Sequence, residues 1–469
     1  MSTTKGKFAI AILAAGKGTR LKSKLAKVLH EIAGKPLMAH VIEAVPRDIP
    51  AADVICIVGH QADRVRERVG SYGVQFVEQT EQRGTGHALM MCREALTAYE
   101  NVLVLSGDVP LIRTETIERV RTFHTERGAA MTILTAMPPD PFGYGRIIRG
   151  NGDEVAAIVE QKQATPEQAA IREINSGIYA FNVRELFARI GRLGSNNPHR
   201  EYYLTDMAGL LRADGLPVLA LPAEDSTEVA GVNTRVELAT LDALLRARKC
   251  TELMQSGVTI YRPETCTIDS EVQVGPDTVI EPFVQLLGKT VIGSDCRIRS
   301  YTVLTNTQVA DGVTIKHGCI SEDSIIEDNA ILGPYSHLRP ASHVGPQAHV
   351  GNFVEMKKTR LGRGSKANHL TYLGDAEIGE GVNVGAGTIT CNYDGANKFK
   401  TIIGDGAFIG SDTTLVAPVK VGKGAYIAAA SCITQDVPDD SLGLTRPPQI
   451  TKEGWVTKKR EKLKAKRGC

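Results

Sequence analysis

The sequence predicts two domains of different fold class: an N-terminal α/β domain with a mostly parallel sheet, and a C-terminal all-β coil of short strands. In the first half, short apolar runs alternate with amphipathic segments of helical length. From about residue 266, apolar residues recur at every sixth position. The 469 residues, of which 42% are apolar and 23% charged, suffice for about three average domains with buried cores.

The alternation in the first half predicts strands followed by helices. The apolar, strand-length runs are Phe8–Leu13, Val54–Val58, Gln75–Glu78 and Val102–Leu105. The helix-length segments between them include Pro36–Val45, Asp63–Val69 and Gly86–Leu96. Such alternation favours right-handed crossovers and a parallel sheet, in which ligands bind at the carboxyl ends of the strands.

The six-residue period predicts a triangular coil. The period is seen in three runs, which are Ile268, Val274, Ile280, Leu286, Ile292, Ile298 and Leu304; Ile320, Ile326, Leu332, Leu338, Val344, Val350 and Met356; and Ile403, Ile409, Leu415, Val421, Ile427 and Ile433. One apolar side chain per face would point to the axis, and small residues would turn the corners. This pattern resembles the left-handed parallel β-helix of hexapeptide-repeat proteins. A β-sandwich is excluded because its strands have period two.

Two further segments set the domain limits. Thr234–Ser256 places Leu238, Leu241, Leu245 and Leu253 on one helical face and is followed by Gly257, which predicts a linker helix. The predicted limits are 1–233 for the α/β domain, 234–257 for the linker helix, 258–446 for the β-helix and 447–469 for a basic C-terminal tail. Residues 391–402 interrupt the repeat and predict a protruding loop.

Composition excludes several classes of function. The formal net charge of +2 is too balanced to indicate a nucleic-acid partner, and the basic run from Lys458 to Arg467 is expected to be a solvated, frayed tail. Nine scattered cysteines favour free thiols in a reducing compartment. The apolar run Phe8–Ala15 is too short to span a membrane. We therefore expect a cytoplasmic protein with no nucleic-acid or membrane partner.

A glycine-rich loop follows the first predicted strand. In Leu13–Arg20, small residues would let backbone N–H groups approach a phosphate, and Arg20 and Lys27 add positive charge. The loop matches neither the Walker pattern nor the dinucleotide-binding fingerprint. Asp108 lies in Ser106–Pro110, at the carboxyl end of a strand, where a carboxylate can hold Mg²⁺ between phosphates. The alternative for Asp108 is a helix cap or turn residue.

The stretch from Leu13 to His30 resembles the signature of nucleoside-diphosphate-sugar pyrophosphorylases of Rossmann-like fold, and Gln79 with Gly84–Ala88 is similar to the uracil-reading segment of the uridylyltransferases. The resemblance implies transfer of a uridylyl group from UTP to a sugar 1-phosphate with Mg²⁺. It implies that Gly145, Glu160 and Asn175 contact N-acetylglucosamine, and that Asn233 joins Asp108 on the metal. The implied nucleotide- and sugar-binding residues are Leu13, Ala14, Ala15, Gly16, Lys27, Gln79, Gly84, Thr85, Ser106, Gly107, Gly145, Glu160, Asn175 and Asn233.

Each of these residues taken singly has a simpler interpretation. Gly145 can serve a turn, Glu160 can be a surface charge, and Asn175 and Asn233 can be caps. Only their joint order along the chain favours the site. Ser106 departs from the pattern, since some members of the family carry Tyr at this position. That departure leaves the nearby ligand contacts open but not the metal site.

Three long segments of the repeat region, Gly351–Lys358, Gly364–Gly379 and Gly385–Lys398, resemble a family of bifunctional enzymes. Members acetylate glucosamine 1-phosphate with acetyl-CoA and then uridylylate the product, N-acetylglucosamine 1-phosphate. The resemblance covers residues from about 8 to about 455. It implies synthesis of UDP-N-acetylglucosamine, a precursor for peptidoglycan and lipopolysaccharide, and a parallel homotrimer with acyl-donor sites between subunits.

Acetylation of an amine requires a base, and His369 is the candidate because its imidazole is available near neutral pH. The resemblance further implies that Arg339 and Lys357 hold the sugar phosphate and that Tyr372 and Asn383 contact the sugar. The residues implied for acetyl-CoA are Ala386, Asn392, Tyr393, Ser411, Ala429 and Arg446. The alternative for His369 is a stacked histidine on a coil face. For Arg339 and Lys357 it is a solvated basic face, and for Ala386 and Ala429 it is corner packing. The group that stabilises the oxyanion is not identified by the sequence.

His337, His343 and His349 recur every six residues, and some hexapeptide β-helices bind zinc through histidines. Each precedes an inward apolar residue, so the three should point outward, which disfavours a zinc site.

Two other functions stay open at this point. One is a single-activity sugar-1-phosphate nucleotidyltransferase whose β-helix only mediates oligomerisation or regulation. The other is a non-enzymatic assembly protein that keeps both folds. His369, Asn392 and Arg446 disfavour the first, and the intact glycine loop with Asp108 disfavours the second.

Overall fold

The computed structural model describes residues 7–197 and 200–467. The chain divides into two compact units, Met1–Arg248 and Lys249–Cys469. The division falls inside one long helix, α9 (Arg235–Gln255), at the place where the sequence predicts a linker helix. The domain limits drawn from the sequence remain predictions.

The first unit is built on a nine-stranded mixed sheet. Its strands are β1 (Phe8–Ala14), β2 (Val54–Val58), β3 (Gln75–Glu78), β4 (Asn101–Ser106), β5 (Met131–Ala136), β6 (Arg146–Arg149), β7 (Val155–Val159), β8 (Ile174–Asn182) and β9 (Val218–Pro222). The order β9-β5-β8-β4-β1-β2-β3 is parallel except at β8, and the β6–β7 hairpin pairs with β8. The predicted α/β fold with a mostly parallel sheet is confirmed, with one antiparallel strand inserted.

Helices cover both faces of this sheet. They are α1 (Leu37–Glu43), α2 (Ala62–Val69), α3 (Thr85–Met90), α4 (Arg93–Leu96), α5 (Thr114–Glu126), α6 (Pro166–Ala169), α7 (Val183–Arg189) and α8 (Met207–Ala213). Because both faces are covered, successive residues of β1 belong to opposite cores: Ile10 and Ile12 to one, Ala9 and Ala11 to the other. The predicted helix over Gly86–Leu96 is divided into α3 and α4.

The second unit is a hexapeptide-repeat β-helix with three parallel sheets, as the sequence predicts. Sheet 1 contains Thr259–Ile260, Val279–Ile280, Arg297–Ile298, Thr314–Ile315, Ile331–Leu332, His349–Asn352, Lys366–His369, Asn383–Val384, Phe408–Ile409, Tyr426–Ile427 and Leu442–Gly443. Sheet 2 contains Thr267–Ile268, Gln285–Leu287, Val303–Thr305, Ile320–Glu322, His337–Leu338, Glu355–Lys357, Tyr372–Gly374, Ile389–Cys391, Thr414–Val416 and Cys432–Ile433. Sheet 3 contains Gln273–Val274, Val291–Ile292, Gln308–Val309, Ile325–Ile326, His343–Val344, Arg360–Leu361, Ala376–Ile378, Thr401–Ile403 and Val419–Val421.

The predicted inward residues form one continuous core, with two departures. Val274 is only partly buried and packs at the edge of the core. Ile320 is 40% exposed, whereas Ser321 is fully buried and pairs with Leu304 below and Leu338 above. The assignment of Ile320 to the core is therefore wrong. Two shortened hexads, Leu304 to Val309 and Ser321 to Ile326, displace the pattern by one residue, and a one-residue shift reverses the face of a strand.

The predicted insertion lies between two neighbouring coils. Ile378 pairs directly with Ile403, so the intervening chain forms one coil with two strands, Asn383–Val384 and Ile389–Cys391, and a loop. The loop contains a small antiparallel bridge between Tyr393 and Lys398.

Helix α9 has buried residues in each of the two units. Leu241 is buried in a cluster with Leu21 and Leu111, and Cys250 and Leu253 are buried in the β-helix core. The basic tail forms a helix, α10 (Trp455–Arg467), which is exposed over residues 455–466. The expected solvation is therefore found, whereas the expected fraying is not, because the segment is helical. Among the described residues, no helix combines the length and apolar character that a bilayer crossing requires.

Candidate active sites

A cleft of about 690 Å³ opens at the carboxyl edge of the first sheet. Leu13 of β1 pairs with Ser106 of β4, so the glycine loop and the turn at Asp108 leave the sheet side by side. The cleft is lined by ten of the residues predicted for nucleotide and metal, namely Leu13, Ala14, Ala15, Gly16, Lys27, Gln79, Gly84, Thr85, Ser106 and Asp108. Gly107 lies in the same turn and donates its N–H to the carbonyl of Leu13 at 3.0 Å.

The two predicted metal ligands, Asp108 and Asn233, both contact the ammonium group of Lys27. The Lys27 Nζ forms an ion pair with Oδ2 of Asp108 and donates a hydrogen bond to Oδ1 of Asn233 at 2.8 Å. Nη2 of Arg20 donates to the same Asn233 oxygen at 2.7 Å. Two oxygens from separate parts of the chain thus converge on a position that already accommodates positive charge.

Asn233 is held by the start of α9. The Glu237 Oε2 accepts the backbone N–H groups of Asn233 at 2.6 Å and Thr234 at 2.8 Å, and Thr234 Oγ1 accepts the N–H of Glu237 at 3.2 Å. This reciprocal arrangement is a capping box, which satisfies free N–H groups at a helix start. It fixes the backbone from which the Asn233 side chain reaches Lys27.

The three residues predicted for the sugar form a second group. An added Cβ on Gly145 would lie 3.5 Å from Oε1 of Glu160 and 3.6 Å from Cβ of Asn175, so the three are neighbours. Burial, with a smaller contribution from Asp206, raises the pKa of Glu160. Asn175 donates from Nδ2 to the hydroxyl of Tyr179 at 2.9 Å. A carboxyl group and an amide thus stand together beside the backbone of Gly145.

In the β-helix, His369 and three predicted acetyl-CoA residues fall in one row. The inward residues Ala367, Val384, Ile409 and Ile427 pair in register on sheet 1. His369, Ala386, Ser411 and Ala429 each stand two residues later, and therefore at the same corner of successive coils, about 4.8 Å apart per step. Arg446 extends the row because its Nη1 donates to the carbonyl of Ala429 at 3.1 Å. His369 is exposed at this corner.

The residues predicted to bind the sugar phosphate lie together at the ends of two neighbouring strands in the middle of sheet 2. Arg339 and Lys357 directly follow Leu338 and Met356, which pair in register. The charges of Lys398 first and Arg339 second lower the pKa of Lys357, so three cationic side chains meet there. Nη1 of Arg339 also donates to Oε1 of Glu355 at 2.9 Å.

Tyr372 and Asn392 meet above Gly374. An added Cβ at Gly374 would lie 2.4 Å from the Tyr372 hydroxyl and 2.8 Å from Nδ2 of Asn392. Asn392 also donates to Asp375, and Tyr393 next to it is exposed. Asn383 lies on sheet 1, paired with Lys366, and thus on a different face from Tyr372.

The three regularly spaced histidines do not converge. His349, His337 and His343 lie on sheets 1, 2 and 3 respectively. His343 is paired with Glu327 at 2.6 Å. Within the ranges described, no group of three or more His, Cys, Asp or Glu side chains is arranged to hold a metal ion.

Comparisons with known proteins identify both halves. Residues 10–175 match the MobA-like NTP transferase domain, and residues 271–306 match the bacterial transferase hexapeptide family. The bifunctional protein GlmU of Koribacter versatilis is 65% identical over 468 residues, which cover 99% of this chain and 100% of the relative. The GlmU proteins of Solibacter usitatus and Trichlorobacter lovleyi are 50% and 49% identical, each over 97% of this chain.

The chain belongs to the GlmU family. It is a bifunctional transferase that makes UDP-N-acetylglucosamine by acetyl transfer to glucosamine 1-phosphate and uridylyl transfer to the acetylated product. Both the single-activity alternative and the non-enzymatic alternative are thereby excluded. The function and fold read from the sequence are confirmed, while the roles of individual residues remain predictions.

Two side chains of this GlmU-family chain were not among the predicted site residues but lie in the two sites. They are Glu237, which accepts the backbone N–H of Asn233, and Lys398, which faces Lys357. Arg20, whose charge the sequence already assigns to the glycine loop, reaches Asn233. Lys398 stands inside a motif, so its charge was a usable signal. Glu237 could have been found from the sequence Thr234-Arg-Val-Glu237, the pattern of a capping box.

Proposed function

We propose that uridylyl transfer takes place in the cleft at the glycine loop and that acetyl transfer takes place along the corner occupied by His369. The observation that carries the first assignment is the convergence of Asp108 and Asn233 on the Lys27 ammonium beside that loop. The substrates are UTP with N-acetylglucosamine 1-phosphate in the cleft, and acetyl-CoA with glucosamine 1-phosphate at the corner.

Asp108 and Asn233 suit a magnesium ion. Their oxygens are hard donors, and the Lys27 ammonium marks a position between them at which a cation is stabilised. Magnesium sites in nucleotide enzymes use one or two protein oxygens and take further ligands from the phosphates, so a large carboxylate cluster is not needed. Asp108 and Asn233 would hold the ion, which when bound neutralises charge on the phosphates.

The remaining chemistry in the cleft consists of positioning and charge. The backbone of Leu13, Ala14, Ala15 and Gly16 forms a wall that a triphosphate can approach closely. Lys27 and Arg20 would stabilise the negative charge that develops on the oxygens as the sugar phosphate attacks the α-phosphorus and pyrophosphate leaves. Glu160 and Asn175 would bind hydroxyl and amide groups of the sugar.

At the β-helix, one ring nitrogen of His369 would take the proton from the attacking amine. Arg339, Lys357 and Lys398 would bind the phosphate of the sugar, because they form a cationic group in which Arg339 interacts electrostatically with Tyr372. The row through Ala386, Ser411 and Ala429 up to Arg446 would carry the acyl donor. Asn383 and Tyr372 lie on different faces of one chain, which supports a homotrimer in which neighbouring copies complete the site.

The test is product analysis with glucosamine 1-phosphate, acetyl-CoA, UTP and Mg²⁺, using variants that separate the activities. Asp108→Ala should abolish uridylyl transfer and leave acetyl transfer intact. His369→Ala should do the reverse, so each activity is the folding control for the other. Loss of both activities in either folded variant would overturn the assignment of residues. Sedimentation analysis of the native chain tests the trimer.

A further inference from the structure

We propose that His87 is a positioning residue for base selection: it fixes the orientation of the Gln79 amide so that the amide oxygen faces the bound base, which favours uracil over cytosine. The proposal rests on uridylyl transfer in the cleft and adds to it a residue that sets its specificity.

The first step is the identity of the two ends of the Gln79 amide. Gln79 is only 3% exposed, and its Nε2 lies 3.1 Å from the carbonyl oxygen of Gly84. A backbone carbonyl can only accept a hydrogen bond, so the amide nitrogen, and not the amide oxygen, must face Gly84.

The second step is the partner of the other N–H. Nε2 of Gln79 also lies 3.0 Å from Nδ1 of His87, so Nδ1 accepts and carries no proton. The His87 ring is itself held, because it stacks on Tyr202 with centroids 6.4 Å apart at an angle of 28°. The N–H of the neighbouring Gly86 donates to the Tyr202 carbonyl at 2.8 Å. The position of the accepting Nδ1 is thus fixed both by the stacking of the ring on Tyr202 and by the backbone hydrogen bond of Gly86.

The third step is what remains for the ligand. Both N–H groups of Gln79 are committed, and no hydrogen bond to its Oε1 occurs within residues 7–197 and 200–467. Gln79 lines the cleft, so its free oxygen is the polar group that it offers to a base. The N3 atom of uracil carries a proton and donates to such an oxygen. The N3 atom of cytosine has a lone pair instead, which would face the oxygen without a hydrogen bond.

Discrimination of this kind is strong, because a buried polar group left unpaired costs more than a lost contact. If the Gln79 amide were free to turn over, its N–H groups could pair with cytosine. The Gly84 carbonyl alone opposes this rotation with one hydrogen bond, and His87 supplies the second. The selectivity of the cleft therefore depends on the unprotonated Nδ1 of His87.

The test compares His87→Phe with His87→Asn in the full-length chain. Phe keeps an aromatic ring for Tyr202 but accepts no hydrogen bond, whereas the Asn Oδ1 can occupy the position of Nδ1. With N-acetylglucosamine 1-phosphate and Mg²⁺, the ratio of kcat/KM for UTP to that for CTP should fall at least about tenfold in His87→Phe. In His87→Asn it should stay within about threefold of the native ratio.

Acetyl transfer by the same preparations reports correct folding. A native ratio in active His87→Phe would overturn the proposal, as would an equal fall in both variants. If His87→Phe lacks measurable turnover, calorimetric binding of UTP and CTP gives the same ratio, and native selectivity there would also overturn it. Absence of uridylyl transfer in the native chain would instead refute the underlying assignment of the cleft.

Discussion

Nζ of Lys27 lies 2.8 Å from Oδ1 of Asn233 and forms an ion pair with Asp108, although these residues are far apart in sequence. The ammonium therefore occupies the position between the two oxygens that we assign to magnesium. A cation that binds there without nucleotide has to displace it, whereas bound phosphates would offer Lys27 a new partner.

Lys27→Met should accordingly have two opposite effects. Uridylyl transfer should fall at least about a hundredfold because a charge at the phosphates is lost. Binding of Mg²⁺ to the nucleotide-free protein should strengthen because Asp108 loses its competing partner. Isothermal titration with MgCl₂ measures the second effect. The control is Lys35→Met, which removes an ion pair with Glu43 outside the cleft. Weaker Mg²⁺ binding in Lys27→Met would contradict the assignment.

Glu237 should matter for the metal although it does not reach it. Glu237→Ala removes the acceptor for the N–H groups of Asn233 and Thr234, at a cost of about 1 kcal/mol to the helix start. The Mg²⁺ concentration for half-maximal uridylyl transfer should rise several-fold, with acetyl transfer unchanged. Glu237→Gln retains an acceptor and should lie close to the native chain. An unchanged Mg²⁺ dependence in Glu237→Ala would show that the capping interaction of Glu237 does not position Asn233 for metal binding.

Gly374→Ala should impair acetyl transfer alone. The added Cβ would lie 2.4 Å from the Tyr372 hydroxyl and 2.8 Å from the Asn392 amide, so both side chains would have to move. We expect at least about a tenfold loss in kcat/KM for glucosamine 1-phosphate, since small displacements of positioning groups cost about that much or more. Uridylyl transfer in the same chain is the control. Full acetyl transfer would show that neither side chain contributes to the site.

The corrected register of the β-helix predicts a contrast between two aliphatic residues of sheet 2. Leu338 is fully buried, so Leu338→Ala should lower the free energy of unfolding by about 2–5 kcal/mol. Ile320 is 40% exposed, so Ile320→Ala should lower it by less than about 1 kcal/mol. Denaturant unfolding followed by circular dichroism measures both. Equal losses of unfolding free energy in the two variants would show that the Ile320 side chain belongs to the core of the β-helix.

The burial of His124 predicts that the first unit loses stability in acid. Burial lowers the pKa of its imidazole from the ordinary value of 6.5 to about 4, so on acidification the unfolded chain takes up the proton first. Stability is therefore complete above about pH 6.5 and declines as the pH falls towards 4, by a total on the order of 3 kcal/mol. In His124→Gln, unfolding midpoints measured between pH 7 and pH 4 should fall less steeply. Parallel pH profiles for both proteins would contradict this.

The sequence by itself determined the periodicities, and with them both folds, because the apolar spacing decides which residues can share a buried face. It also identified the motifs on which the two sites were placed, and ten of the predicted residues line a single cleft. It placed Ile320 wrongly, since a hexad shortened by one residue leaves no local signature and only the pairing of Ser321 with Leu304 and Leu338 reveals it.

Tertiary structure alone decided which groups face one another. The contacts of Lys27 with Asn233 and of Lys357 with Lys398 join residues distant in the chain, and the orientation of the Gln79 amide is set by Gly84 and His87. Such contacts depend on the packing of whole strands and loops, whereas sequence spacing constrains only neighbours along one element. The sequence therefore determined which chemical groups are available to the two sites, and the tertiary structure determined how those groups are arranged.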